Sequence, residues 1–161
     1  MTAPSATASP PGGSAAASQV IAALQHALAA EQAASYGYGV VGAHLPQGSA
    51  LQATAATDWI THMRLRDRLS ALISARGTQP VPAAVAYQLP APVQSSGEAQ
   101  TLAALLEDGV AQAYLGLVAL PEKGLRSFGA QQVRAAALRA EAWRGSTQAF
   151  PGLPDSSLRR S

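Results

Sequence analysis

Proline placement constrains this chain more than any other feature. A proline inside a helix removes a backbone donor and clashes with the preceding turn. Pro46, the group Pro80, Pro82, Pro90 and Pro92, and Pro121 therefore cut the sequence into four stretches, each long enough for a helix. Within the stretches, apolar residues recur at spacings of three and four, the period of an amphipathic helix. Ser18, ahead of Val20-Ile21, reads as an N-cap, giving a first helix over residues 19–43 that stops near Gly42 and Leu45-Pro46. Ser49 caps a second helix over 50–76, with Gly77 as its C-terminal cap. A third helix is expected over 98–120, closed by Pro121, and a fourth over 125–147, interrupted only by Gly129 and Gly145.

The connections run short, long, short. Short loops make helices 1 and 2, and likewise 3 and 4, antiparallel neighbours, whereas the long segment 78–97 can run the length of a bundle and join helices 2 and 3 in parallel. Val81, Val85, Tyr87, Leu89 and Val93 give that segment enough apolar surface to lie across the helices. The expectation is an all-α, ferritin-like four-helix bundle with a long Pro-rich crossover between helices 2 and 3. Residues 1–17, rich in Ala, Ser, Thr, Pro and Gly, are expected to form a disordered tail, with the domain over 18–154 and a frayed end over 155–161. Phe150-Pro151-Gly152-Leu153-Pro154 reads as a short packed tag. At 161 residues the chain fits one domain.

Composition excludes several functions. With no cysteine, disulfides, thiolate metal sites and a cysteine nucleophile are absent together. The net charge is +2, and Lys123 is the only lysine. A phosphate backbone is bound by clustered Lys and Arg, so no nucleic-acid partner is expected. No apolar run reaches spanning length, and the first thirty residues contain no Lys or Arg and hence no basic n-region. No membrane partner is expected, and a cytoplasmic location follows as the default. A phosphate-cradling glycine loop, a nucleophile elbow and a zinc-protease helix are also missing.

The polar residues on the apolar stripes carry the chemical interest. Glu31 sits mid-stripe in helix 1 and is the only charged residue before Thr57. Asp58 and His62 lie one turn apart on the inward stripe of helix 2, Glu107 on that of helix 3, and Glu141 joins Leu138 and Arg134 on helix 4. A buried carboxylate is costly unless paired. One answer is an ion-pair network of Glu31, Asp58, His62, Arg66, Asp67 and Glu107, with Arg64 or Arg68 as further cations. The other is a reduced iron or manganese site with Glu31, His62, Glu107 and Glu141 as ligands, which would make the protein an oxidoreductase. A complete two-metal centre takes a Glu-x-x-His from each of two helices, and that pattern is missing: Ala34, Val110 and Arg144 follow Glu31, Glu107 and Glu141 at three residues, and Trp59 precedes His62.

Three strings, Ala30-Glu31-Gln32-Ala33-Ala34-Ser35-Tyr36-Gly37-Tyr38-Gly39, His62-Met63-Arg64-Leu65-Arg66-Asp67 and Ala86-Tyr87-Gln88-Leu89-Pro90, stand in an order and spacing that resembles a ferritin-like domain family of GC-rich, actinobacterial-type bacteria whose function is uncharacterised. The resemblance runs from helix 1 to Pro154. It implies a ferritin-like bundle, marks Glu31, His62, Arg66, Asp67 and Tyr87 as family positions, and brings no activity with it.

Gly37, Gly39 and Gly42 lie inside one helix, where each costs about 1 kcal/mol relative to alanine. A neighbouring backbone, the Tyr87-Gln88-Leu89-Pro90 segment or a facing helix, is expected on that face. Tyr36 and Tyr38 are expected to pack with bonded hydroxyls, and His26 and His44 to be surface or helix-end residues. Trp59 and Met63, beside the core stripe, suggest a homodimer. The Pro-rich segment could alternatively act as a lid over a small-molecule pocket, whose ligand the sequence does not identify.

Overall fold

A computed structural model of the chain describes residues 12–145, the side chains of residues 12–14 excepted. Among the described residues there are four helices and no strand: α1 (Gly12–His44), α2 (Ala50–Ser74), α3 (Ser96–Val118) and α4 (Lys123–Arg144). The packed tag expected at 150–154 lies outside the described residues.

Local chemistry sets most of the ends. Ser49 accepts a hydrogen bond from the Gln52 amide (3.1 Å), and Ser95 accepts one from that of Glu98 (3.2 Å). Glu98 in turn reaches back to accept from the Gln94 amide, ahead of the cap (2.7 Å), which ties the entering chain to the first turn of α3. Gly77 at the end of α2 and Gly145 after α4 adopt left-handed φ angles of 72° and 75°, the conformation in which a side chain is disfavoured. Gly145 ends α4 before the expected Thr147. The start of α1 also differs from the sequence reading: the helix continues through Ser18 back to Gly12, so Ser18 does not cap it. Residues 15–19 are exposed, and the strong helix propensity of Ala15-Ala16-Ala17 accounts for the extension without any packing.

Helix α1 packs against α2 and α3, and α3 against α4, but no Cα of α2 lies within 8 Å of one of α4. That wide seam is spanned by long side chains instead: the Trp143 indole donates to Asp58 (2.9 Å), and the Arg68 guanidinium lies 4.0 Å from the centre of the Phe128 ring. The connection from α2 to α3 lies along α1. Gln25 Nε2 donates to Gln79 O (2.7 Å) and its Oε1 accepts from the Val81 amide (2.8 Å), while Gln32 donates to Val81 O (2.9 Å). Tyr87 rests on Tyr36, ring centres 5.6 Å apart.

Two apolar clusters fill the interior. Leu24, Leu28, Leu69, Ile73, Leu117 and Phe128 anchor one; Tyr38, Val41, Leu102, Ala103 and Trp143 anchor the other, with Leu89 and Val93 of the connection packed on it. Gly129 of α4 is buried where an added Cβ would stand 2.8 Å from Leu117 Cβ and 3.1 Å from Tyr114 O and Val118 N, so glycine is what lets α4 approach α3. The α1 glycines behave differently from expectation. Gly37 receives the Leu106 side chain of α3, whereas Gly39 and Gly42 would have nothing within 4 Å of an added Cβ; neither the Tyr87–Pro90 stretch nor a helix backbone covers them.

Candidate functional site

Between the two apolar clusters the helices bring together a buried polar group. Glu31 of α1, His62 of α2 and Glu107 of α3 are each fully buried. His62 bridges the two carboxylates: Nδ1 lies 2.6 Å from Glu31 Oε2, and Nε2 lies 3.0 Å from Glu107 Oε1. The same Glu107 oxygen accepts from Tyr38 OH (2.7 Å) and from Arg139 Nε of α4 (2.9 Å). Tyr114 OH donates to the other oxygen of Glu31 (2.8 Å). Asp58, one turn before His62, accepts from Trp143 (2.9 Å), and its Oδ2 lies 3.4 Å from Tyr38 OH, whose one hydrogen goes to Glu107. A chain of hydrogen bonds thus runs from Tyr114 through Glu31, His62 and Glu107 to Tyr38 and Arg139, drawing on all four helices, with the Asp58–Trp143 pair beside it.

The arrangement repeats on the central pair of helices. Glu31 and Tyr38 on α1, and Glu107 and Tyr114 on α3, are each separated by seven residues, two turns of helix, and so share a face. Because each tyrosine donates to the glutamate of the other helix, α1 and α3 must run antiparallel in this register.

Electrostatics follow from burial set against pairing. Burial alone would lower the His62 pKa, but the hydrogen bonds and charges of Glu107 and Glu31 outweigh it and hold the ring up at about 9. The imidazole is therefore protonated at neutral pH, consistent with both nitrogens facing carboxylates. Burial would raise Glu107, yet His62 and Arg139 bring it below the ordinary carboxylate value. Arg139 is held charged, its pairing with Glu107 exceeding its burial. Burial raises Asp58 against the opposing Trp143 hydrogen bond. Burial, joined by the neighbouring carboxylates, raises the hydroxyls of Tyr38 and Tyr114. Three donors converge on Glu107 Oε1, leaving Glu107 Oε2 and Arg139 Nη2 buried without a hydrogen bond.

The sequence reading and the structure differ at several residues. Glu31, Asp58, His62 and Glu107 come together. Arg66 and Asp67 do not join them; they pair with each other at 2.8 Å, with side chains 38% and 69% exposed. At 100° per residue, an inward stripe of Asp58, His62, Leu65 and Leu69 turns positions 66 and 67 outward. Glu141 forms no part of the cluster either. Its expected companions Leu138 and Arg134 are exposed, because α4 buries the stripe through Leu125, Phe128, Gly129, Ala136, Ala140 and Trp143. Tyr38 has the bonded hydroxyl expected of it, whereas Tyr36 is 39% exposed and lies tilted against Tyr87. Tyr114, Arg139 and Trp143 were not among the sequence candidates for the network. The repeated Glu-to-Tyr spacing of seven was available as a signal for Tyr114; nothing in the sequence distinguishes Arg139 from the other arginines.

Among the described residues, no helix is long and apolar enough to cross a membrane, and no group of three or more His, Cys, Asp or Glu is arranged to hold a metal ion. Comparison with known proteins gives a family and a structural likeness. Residues 23–155 match the family described as "Domain of unknown function (DUF4439)". The crystal structure of a conserved hypothetical protein, rv2844, from Mycobacterium tuberculosis is similar with a TM-score of 0.75 and 36% identity, over 80% of this chain and 96% of that one. No protein of curated function matches.

Proposed function

Since the chain belongs to this family of unknown function, membership brings no activity with it, and we propose from the buried cluster that the domain is a metal-free, ferritin-like four-helix bundle acting as a non-catalytic scaffold. In this reading the Pro-rich stretch 75–95 is the long crossover of such a bundle. The Glu31–His62–Glu107–Arg139 cluster occupies the central position where related architectures carry a metal centre, and it fixes the register of the four helices instead.

One observation carries the reading: both ring nitrogens of His62 face carboxylate oxygens, at 2.6 and 3.0 Å. A metal-ligating imidazole is neutral and gives one nitrogen lone pair to the ion. Here the ring is a cation, and the Arg139 guanidinium pairs with the same Glu107 oxygen that accepts from His62 and Tyr38. His62 and Arg139 together match the charges of Glu31 and Glu107, so these two carboxylates are paired without iron or manganese. Glu141, the fourth ligand of the metal-dependent alternative, stands outside the cluster. A buried ion pair of this kind adds little net stability over apolar packing, but a misregistered helix would strand a charge; that cost is what specifies the arrangement.

The lid reading of the Pro-rich segment gains less support. The hollow beside Pro90, between Ala30, Ala33, Leu105 and Gly109, holds about 240 Å³, below the usual size of a small-molecule site.

The test is elemental analysis of full-length protein expressed in iron- and manganese-replete medium, beside Glu31→Ala. The reading expects far less than one metal per chain in both. Stoichiometric metal in the wild type that disappears in Glu31→Ala would overturn it in favour of a metal-dependent oxidoreductase.

A further inference from the structure

The outer face of the α1–α2 hairpin carries a feature that the buried cluster leaves unexplained. Gly39 and Gly42 of α1 and Ala53 and Ala56 of α2 floor an open hollow of about 480 Å³, with Tyr38 at its base and Trp59 on its wall. Glycine inside a helix is unfavourable relative to alanine. Close packing explains Gly129, but an added Cβ at Gly39 or Gly42 would meet nothing within 4 Å, so no contact within the described chain compensates for these two. Beside the hollow stand large apolar side chains in water: Trp59 and Ile60 are each 40% exposed and Leu51 36%.

We propose that this hollow receives Trp59 of a second copy of the chain, in a two-fold symmetric dimer through the α1–α2 hairpins. A two-fold interface brings one patch against itself, so the patch must carry both a projection and its receptacle. Trp59 and the glycine-floored hollow meet that requirement side by side. The patch must also lack like charges that would face one another. Between Gly12 and Thr57 the only charged residue is Glu31, which is fully buried; the hairpin face around the hollow is therefore free of charge from Gly39 to Thr57. This inference does not depend on whether the buried cluster is metal-free.

Light scattering over a dilution series of the full chain tests it, alongside Trp59→Ala and Gly39→Leu. The latter places a side chain in the hollow, its Cβ meeting nothing of the described chain within 4 Å, and should favour the helix. The wild type is expected at twice the 16.4 kDa chain mass, and each variant at the single-chain mass over the same range, a loss of affinity of at least tenfold with the far-UV spectrum and melting temperature of Gly39→Leu undiminished. Because Trp143 is buried, iodide quenching reports on Trp59, which should become accessible as the wild type dissociates. A wild type that stays monomeric at hundreds of micromolar overturns the proposal. So does a dimer that survives both substitutions, which would place the interface elsewhere, or a monomer whose Trp59 is already shielded, which would give the hollow to another occupant such as a small apolar molecule.

Discussion

Raising the pH through the titration of His62 should unfasten the centre of this protein. The ring has an ordinary pKa of 6.5 and is held at about 9 by Glu107 and Glu31, against a burial that would lower it. A folded-state pKa above the unfolded one means that the folded protein binds the proton more tightly. The resulting stabilisation is fully present below pH 6.5 and is lost as the pH rises through about 9. A shift of that size corresponds to about 3 kcal/mol, a large share of the stability of a small domain. Urea unfolding between pH 6 and pH 10 measures it, with His62→Gln as the reference, since other groups that titrate at high pH act on both proteins. The wild type should lose about 3 kcal/mol more than the variant across this window, and the histidine ring resonances should titrate near 9. A ring pKa at or below the ordinary value, or parallel pH profiles for the two proteins, would refute the imidazolium bridge and with it the argument against a metal ligand.

Three further outcomes follow from the same geometry. Arg139→Met leaves Glu107 buried with one cation fewer and should destabilise by about 3–5 kcal/mol in urea titrations, with Arg139→Lys recovering part; a loss below about 1 kcal/mol would remove Arg139 from the cluster. Gly129→Ala forces a Cβ to within 2.8 Å of Leu117 Cβ and 3.1 Å of α3 backbone, and should cost about 1–3 kcal/mol; an unchanged or raised melting temperature would contradict the close α3–α4 approach. Arg66→Ala breaks only the exposed pair with Asp67 and should change stability by less than about 0.5 kcal/mol, whereas a loss resembling that of Arg139→Met would return Arg66 to the network.

Sequence by itself determined the helices and most of their limits, because those depend on neighbours in the chain. Proline positions, the serine cap at Ser49, and the glycines after α2 and α4 act within a turn or two. Helical periodicity also sufficed to turn Glu31, Asp58, His62 and Glu107 inward, since a stripe that buries Leu24 and Leu28, or Leu65 and Leu69, carries its polar members along. What lay beyond it were choices made between helices. Helix α4 is rich in alanine, so several of its faces are nearly equivalent to water, and only docking on α3 around Gly129 decided that Arg139 faces Glu107 while Glu141 does not. The wide α2–α4 seam had the same effect on Trp143 and Arg68, whose partners come from the opposite helix. The glycines of α1 look alike in sequence, yet Leu106 fills the space beside Gly37 and nothing fills that beside Gly39. Backbone preference is local and can be read along the chain; which cation neutralises a buried carboxylate depends on distances across the interior, and those exist only once the helices have packed.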